Sequence, residues 1–83
     1  MGSFATVGES RDKRYIKAFG DNLRRLRISK KLSQEELAYR SGLVLSQVGR
    51  IERGERGPTL TTMLALAKGM GVEPKKLLDF EFS

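Results

Sequence analysis

The segment from Ser33 to Gly54 holds two short helical patterns separated by one tight turn. Ser33 and Glu36 have the spacing of a capping box, in which the hydroxyl accepts a free backbone N–H and the carboxylate accepts the N–H of the cap residue. Gly42 can adopt the left-handed conformation that ends a helix. A further helix is predicted over about 45–53, with Val48 and Ile51 facing inward, and Gly54 stops it. The segment therefore predicts two short helices joined by a tight turn that contains glycine.

Helical patterns continue on both sides of this segment. A helix is predicted from about Arg11 to Lys30, because apolar residues recur there at steps of three and four. They are Ile16, Phe19, Leu23 and Leu26. Gly20 interrupts this helix at a cost of up to ~1 kcal/mol relative to alanine, which predicts close packing at that point. Residues 1–10 are aperiodic and are predicted to form a flexible tail.

The chain after Gly54 predicts one more helix and a final turn or two. Thr59 can cap a fourth helix that Gly71 ends. Its predicted apolar stripe consists of Leu60, Met63, Leu64, Ala67 and Met70. Pro74 suits the first position of a last helical turn, where its missing N–H does no harm. No strand or repeat is evident, so residues 11–83 are predicted to form a single all-α domain.

Composition narrows the function. The 83 residues include no cysteine and no histidine, which removes the usual thiolate ligands and the commonest general base. We therefore expect no enzyme activity, metal site, cofactor or small-molecule ligand. Sixteen lysines and arginines against ten acidic residues give a net charge of +6. Such a surplus favours nucleic acid as a partner, although it can also serve only to keep a small protein in solution.

Two expectations concern location. No apolar run approaches the roughly 18–20 residues that span a bilayer, so no membrane association is predicted. The N-terminal residues lack the hydrophobic core of a secretory signal, and a cytoplasmic protein is expected.

Several short motifs together resemble one known family. They are Leu32-Ser33-Gln34-Glu35-Glu36-Leu37-Ala38, Ser41-Gly42-Leu43, Arg50-Ile51-Glu52-Arg53-Gly54 and Pro58-Thr59-Leu60. This set is similar to that of lambda-repressor-like helix-turn-helix regulators, also called the xenobiotic-response-element type, and the resemblance spans about residues 16–78. It implies a compact bundle of about five short helices. It also implies a transcriptional regulator that binds double-stranded DNA with the third helix in the major groove.

The resemblance assigns roles to individual residues. Gln34 stands where the family holds a DNA phosphate, and a plain first-turn role is its alternative. The positions that reach base edges are Leu45, Ser46, Gln47 and Arg50. Chemically, Gln47 could pair bidentately with adenine, and Arg50 with guanine or else with a phosphate. Arg53 and Arg56 match positions that grip phosphate. Arg27 and Glu52 match a structural salt bridge between the first and third helices.

The start of the third helix departs from the family pattern. Val44 replaces the usual serine or threonine cap, so Ser46 could cap the helix instead of touching DNA. Leu45 stands where polar side chains are commoner. It could pack against a thymine methyl group, or it could form with Val44 a surface for a protein partner. If Val44 and Leu45 form a surface for a protein partner, the chain is a protein-interaction module that retains the fold of the family.

The residues near the end of the predicted domain suggest how two copies of the chain form a dimer. The family commonly forms two-fold dimers on partly palindromic operators through its last helix and flanking turns. We therefore predict a homodimer formed by Leu77, Leu78, Phe80 and nearby residues of the fourth helix; the alternative is that Phe80 and Phe82 only close the monomer core.

Some relatives extend a basic arm around DNA from the segment that here holds Arg11, Lys13 and Arg14. A restriction-modification controller, a phage Cro-like repressor and an antitoxin all fit such a stand-alone domain.

Overall fold

The structure is a computed structural model that describes residues 2–81, with side chains described for residues 13–81. It contains four α-helices: α1 (Gly2–Ser29), α2 (Gln34–Ser41), α3 (Leu45–Glu52) and α4 (Leu60–Met70). A 3₁₀ helix follows at Pro74–Leu78. No strand occurs among the described residues, which agrees with the all-α prediction.

The expectation of about five short helices needs correction. The described residues form four α-helices, and the last element is only a 3₁₀ helix. Gly71 ends α4 in the left-handed conformation, and the five residues that follow Glu73 are closed by bonds such as Lys76 N–H to the carbonyl of Glu73. Such short i→i+3 segments are typical of connections and chain ends. The first helix is also long, because α1 includes the segment predicted to be a flexible tail; the boundary at residue 10 stays a prediction.

One hydrophobic core holds these elements together. The α2 helix packs on both α4 and α3, and α1 packs on α3 and on the 3₁₀ helix. The core side chains that are almost completely buried are Leu23, Leu37, Val48, Leu66 and Leu77. Burial of a leucine or valine contributes roughly 1.5–3 kcal/mol, so these side chains are the main source of stability. The inward positions predicted on α3, Val48 and Ile51, are confirmed.

The predicted apolar stripe of α4 is only partly correct. Ala67 and Met70 lie in the core and Met63 packs against it, but Leu60 and Leu64 are 68% and 47% exposed. Leu66, which the stripe omitted, is fully buried instead. The α4 sequence is apolar on nearly every face, so periodicity alone could not select the buried side. The consequence is an exposed apolar strip on α4.

Asn22 anchors the 3₁₀ helix to α1. Its side-chain amide donates hydrogen bonds to the carbonyls of Lys76 and Leu77, at 2.9 and 3.0 Å. Asn22 is 2% exposed, and its Oδ1 accepts a hydrogen bond from Arg25. A buried polar group must be hydrogen-bonded to avoid a desolvation cost, and here both ends of the amide are used. Asn22 thereby supports Leu77 in the core.

The predicted capping box of α2 is confirmed. Ser33 Oγ accepts the N–H of Glu36 at 3.0 Å, and the Glu36 carboxylate accepts the N–H of Ser33 at 2.9 Å. The hydrogen bond from the Ser33 backbone is the largest cause of a lowered pKa at Glu36, relative to the ordinary value of 4.5. The helix start therefore favours the ionised carboxylate.

Acid should weaken this cap. Because the folded-state pKa of Glu36 is lowered, its contribution is complete above the ordinary pKa and is lost as the pH falls through the folded-state value. A Glu36→Gln variant keeps an oxygen acceptor and does not titrate. Between about pH 6 and about pH 3, denaturant titrations should show a larger loss of unfolding free energy for the unaltered protein than for Glu36→Gln. Parallel losses in the two proteins would contradict this assignment.

Candidate DNA interface

The turn between α2 and α3 fixes the direction of α3. Gly42 has a φ of 70°, and its N–H closes the end of α2. The N–H of Leu43 then donates to the carbonyl of Ala38 at 2.9 Å, and Leu43 packs against the core. The chain enters α3 in an extended conformation at Val44. The buried faces of α2 and α3 meet in the core, so the opposite face of α3 points to solvent.

The outward face of α3 carries the residues predicted to reach base edges. Leu45, Ser46 and Arg50 are exposed, and Gln47 is half-buried. Leu45 is 45% exposed and its neighbour Val44 is 59% exposed. All four predicted base-reading side chains thus lie along one short helix. Its length and diameter suit the major groove of B-form DNA.

A buried ion pair fixes α3 to α1. Arg27 Nε donates to Glu52 Oε2 at 2.6 Å, and Arg27 Nη2 donates to Glu52 Oε1 at 2.9 Å. Arg27 Nη1 also donates to the carbonyl of Leu32 at 2.8 Å. The two residues are 9% and 4% exposed. Hydrogen bonding to Glu52 raises the pKa of Arg27 above its ordinary value, which means that the contact favours the charged guanidinium.

Gln34 joins this ion pair. Its Nε2 donates to Glu52 Oε1 at 3.0 Å, and the side chain is half-buried. The network connects the first turn of α2, the last turn of α3 and the end of α1. A primary amide has two N–H donors, and the bond to Glu52 uses one of them. The structure therefore places Gln34 as a brace between helices, at the C-terminal end of α3.

Val44 provides no side-chain acceptor at the start of α3. Only the other half of a capping box is present, because Gln47 Oε1 accepts the N–H of Val44 at 3.1 Å. Ser46 lies inside the helix and not at its cap position. The predicted alternative in which Ser46 caps α3 is therefore wrong.

Two arginines predicted to grip phosphate follow α3. Arg53 lies at the end of α3 and Arg56 lies in the next turn, and both are exposed. Arg53 Nε pairs with Glu55 Oε2 at 2.6 Å, and this contact lowers the pKa of Glu55 and raises that of Arg53. Glu55 was not singled out from the sequence. Its carboxylate would compete with a phosphate for Arg53.

The residues predicted to form a dimer interface lie in different surroundings. Leu77 is fully buried inside the subunit, so it has no surface to offer a partner and does not belong to such an interface. Leu78 is 55% exposed and Phe80 is half-buried. Both line an open apolar groove of about 600 Å³ together with Tyr15 and Met63. Phe82 lies outside the described residues.

Three other expectations can be compared with the structure. Lys13 and Arg14, in the predicted basic arm, are exposed on α1, and the side chain of Arg11 lies outside the described residues. Over residues 2–81, no helix is both long enough and apolar enough to cross a membrane. Among the side chains of residues 13–81, no group of three or more potential metal-ligating residues is found.

The fold and this surface are those of a helix-turn-helix DNA-binding regulator. Residues 23–77 match the helix-turn-helix family. Control protein C.BamHI of Bacillus amyloliquefaciens is 43% identical over 63 residues, which cover 75% of this chain and 78% of that protein. Control protein C.SmaI of Serratia marcescens is 45% identical over 58 residues, covering 70% and 69%.

A solved structure gives the same assignment. The restriction-modification controller protein C.AhdI from Aeromonas hydrophila superposes with a TM-score of 0.73 and 48% sequence identity. The superposition covers 75% of this chain and 94% of that one. The present chain therefore belongs to the helix-turn-helix family of transcriptional regulators.

Proposed function

We propose that this regulator is a restriction-modification controller that binds a partly palindromic duplex operator as a homodimer. The observation that carries the proposal is the face of α3, which presents Leu45, Ser46, Gln47 and Arg50 on a helix held by a buried ion pair. The similarity to C.BamHI, C.SmaI and C.AhdI favours a controller over a phage repressor or an antitoxin.

In this proposal α3 enters the major groove. Arg50 donates to guanine O6 and N7, and Leu45 packs against a thymine methyl group. Ser46 has a short hydroxyl that can donate or accept at a base edge. Base contacts of this kind discriminate by about 1–3 kcal/mol each when they are bidentate. A rigid α3 limits the conformational entropy lost when these contacts form.

Phosphate contacts position the dimer. Gln34 directs its remaining amide hydrogen to a phosphate while Glu52 holds the other, and Arg53 and Arg56 contact phosphates beyond α3. Arg53 exchanges Glu55 for a phosphate, or shares its donors between them, because its guanidinium has five N–H groups. These contacts carry no sequence information, but they fix the register of α3 in the groove.

Binding should depend steeply on salt. Two arginines from each subunit on phosphates predict a slope of log K against log salt of roughly −3 to −4, since each neutralised phosphate contributes about −0.9. Arg56→Gln should reduce the magnitude of the slope by about two in a dimer. Fluorescence polarisation on a generic duplex between about 50 and 200 mM salt measures both quantities.

Lys75→Gln is the matched control for charge. Lys75 is exposed, lies on the 3₁₀ helix and pairs only with Glu73 among the described residues, so its loss should leave the slope unchanged. Equal slopes for Arg56→Gln and the unaltered protein would remove Arg56 from the phosphate contacts. A chain that binds no duplex at any salt concentration would instead be the protein-interaction module, with Val44 and Leu45 as its surface.

The dimer should form through the apolar groove that Leu78 and Phe80 line together with Met63 of α4. Leu78 is on the surface, so Leu78→Glu removes an apolar contact without opening the core. Sedimentation at tens of micromolar should give the mass of two chains for the unaltered protein and of one chain for Leu78→Glu. A single-chain mass for the unaltered protein would contradict the dimer. Helical circular dichroism checks that the variant remains folded.

A further inference from the structure

The hydrogen bond between Gln47 and Val44 constrains how Gln47 can read a base. An α-helix leaves its first backbone N–H groups without partners inside the helix, and a serine or threonine cap normally accepts one of them. Valine cannot accept one, so that half of a capping box is missing at the start of α3. The other half is present, because Gln47 Oε1 accepts the N–H of the cap residue Val44 at 3.1 Å. Gln47 is half-buried, which is consistent with a side chain folded back on its own helix start.

The chemistry of the amide fixes its orientation. A backbone N–H can be accepted only by the carbonyl oxygen of Gln47 and not by its NH₂ group. The oxygen therefore faces the backbone at the start of α3, and Nε2, on the other branch of the planar amide, is left to donate. A bidentate pair with adenine requires the oxygen and the nitrogen to face the same base edge, because adenine offers an N6 donor beside an N7 acceptor.

We infer that Gln47 reads the operator only as a hydrogen-bond donor and selects guanine in place of adenine. Guanine is the base that offers two acceptors, O6 and N7, in the major groove. The two N–H groups of Nε2 can donate to O6 and N7 of guanine while the oxygen keeps the N–H of Val44. Adenine N7 can accept one of them, but N6 beside it is itself a donor, so a side chain that only donates favours guanine over adenine. This inference rests on the proposed function, which places α3 in the major groove. It replaces the bidentate adenine contact expected from the sequence.

Two variants separate the capping bond from the reading of the base. Gln47→Glu keeps an oxygen for the N–H of Val44 and exchanges the outward NH₂ for a second oxygen, which accepts and cannot donate. Glutamate is also a usual residue at this position of a capping box. Gln47→Met has a similar length and makes neither bond. Without DNA, thermal unfolding should occur at a lower temperature for Gln47→Met and at no lower a temperature for Gln47→Glu.

The probe is the duplex that the unaltered protein selects from random DNA, varied one base pair at a time. At one position in each half-site, the unaltered protein should prefer guanine by about tenfold or more. Gln47→Glu should prefer cytosine there, because a carboxylate accepts from cytosine N4. Gln47→Met should bind all four bases at that position with similar affinity. The added negative charge of Gln47→Glu weakens binding to every duplex. For each protein, the ratios of its affinities for the different duplexes are therefore compared.

The outcomes distinguish this inference from the proposed function. Any base other than guanine at the position where Gln47→Met loses its preference would overturn the inference, and adenine there would restore the bidentate contact. Identical base preferences for all three proteins would show that Gln47 only caps α3, while specific binding stands. If the unaltered protein selects no duplex at all, the proposed function fails and this inference fails with it.

Discussion

Gly20→Ala should lower the free energy of unfolding by about 3 kcal/mol or more, which is a large part of the stability of a domain this small. A Cβ at residue 20 would collide with the carbonyl oxygen of Ile51 and would lie 2.8 Å from that of Glu52. Both are backbone atoms at the end of α3, so neither can move without shifting a helix. Denaturant unfolding measures the loss directly.

Gly49→Ala is the matched control, since it also places an alanine inside a helix. The nearest atom to its Cβ is a terminal nitrogen of the Arg53 side chain at 2.9 Å, which can swing away. Here the better helix propensity of alanine should prevail, with a gain of up to about 1 kcal/mol. If Gly20→Ala were as stable as Gly49→Ala, the close contact between α1 and α3 would be wrong.

Breaking the Arg27–Glu52 pair should also have a large effect. Arg27→Met and Glu52→Met should each cost about 3–5 kcal/mol, because each leaves a buried charge without its partner. The double variant should recover part of that loss, since no unpaired charge remains. Chemical denaturation of the four proteins in a double-mutant cycle measures the coupling between the two residues.

The outcome that contradicts this prediction is additivity. If the double variant loses the sum of the two single losses, the pair makes no coupled contribution, and the buried contact would not hold α3 against α1. A recovery that remains incomplete is expected, because the double variant also removes the partners of Gln34 and of the Leu32 carbonyl.

The parts of the fold that depend on local signals could be predicted from the sequence. The Ser33 cap and the Gly42 turn are determined by residues within a few positions of each other, and the structure contains both. Gly20 was predicted to mark close packing because a helix tolerates glycine poorly, and α3 lies against it. The periodicity of α3 placed Val48 and Ile51 correctly in the core.

The remaining features depend on contacts between residues far apart in the chain. Asn22 supports the 3₁₀ helix through bonds that span 54 and 55 positions, and no local pattern indicates them. Leu77 is buried because that helix packs back on α1 and α4, whereas the resemblance had implied a place for it in a dimer interface. Gln34 was assigned to phosphate from the resemblance, but its bond to Glu52 required the helices to be placed in space.

The sequence indicated that α3 begins with a poor cap, but it did not indicate which hydrogen bonds form there. Val44 was recognised as a poor cap, and Ser46 was considered as its substitute. The structure has no side-chain cap at Val44 and keeps only the reciprocal bond, in which Gln47, three positions beyond the cap, accepts the cap N–H. The same side chain is predicted to read DNA. The hydrogen bond between Gln47 and the backbone of Val44 therefore bears on base preference as well as on the start of the helix.

Selection of binding sites from random duplex DNA by the unaltered protein tests the central claim most directly. We expect an enriched motif of two half-sites related by two-fold symmetry and centred about one helical turn apart, because a dimer presents one α3 to each half-site. A pool that stays random in sequence while the protein remains folded would contradict sequence-specific recognition by α3.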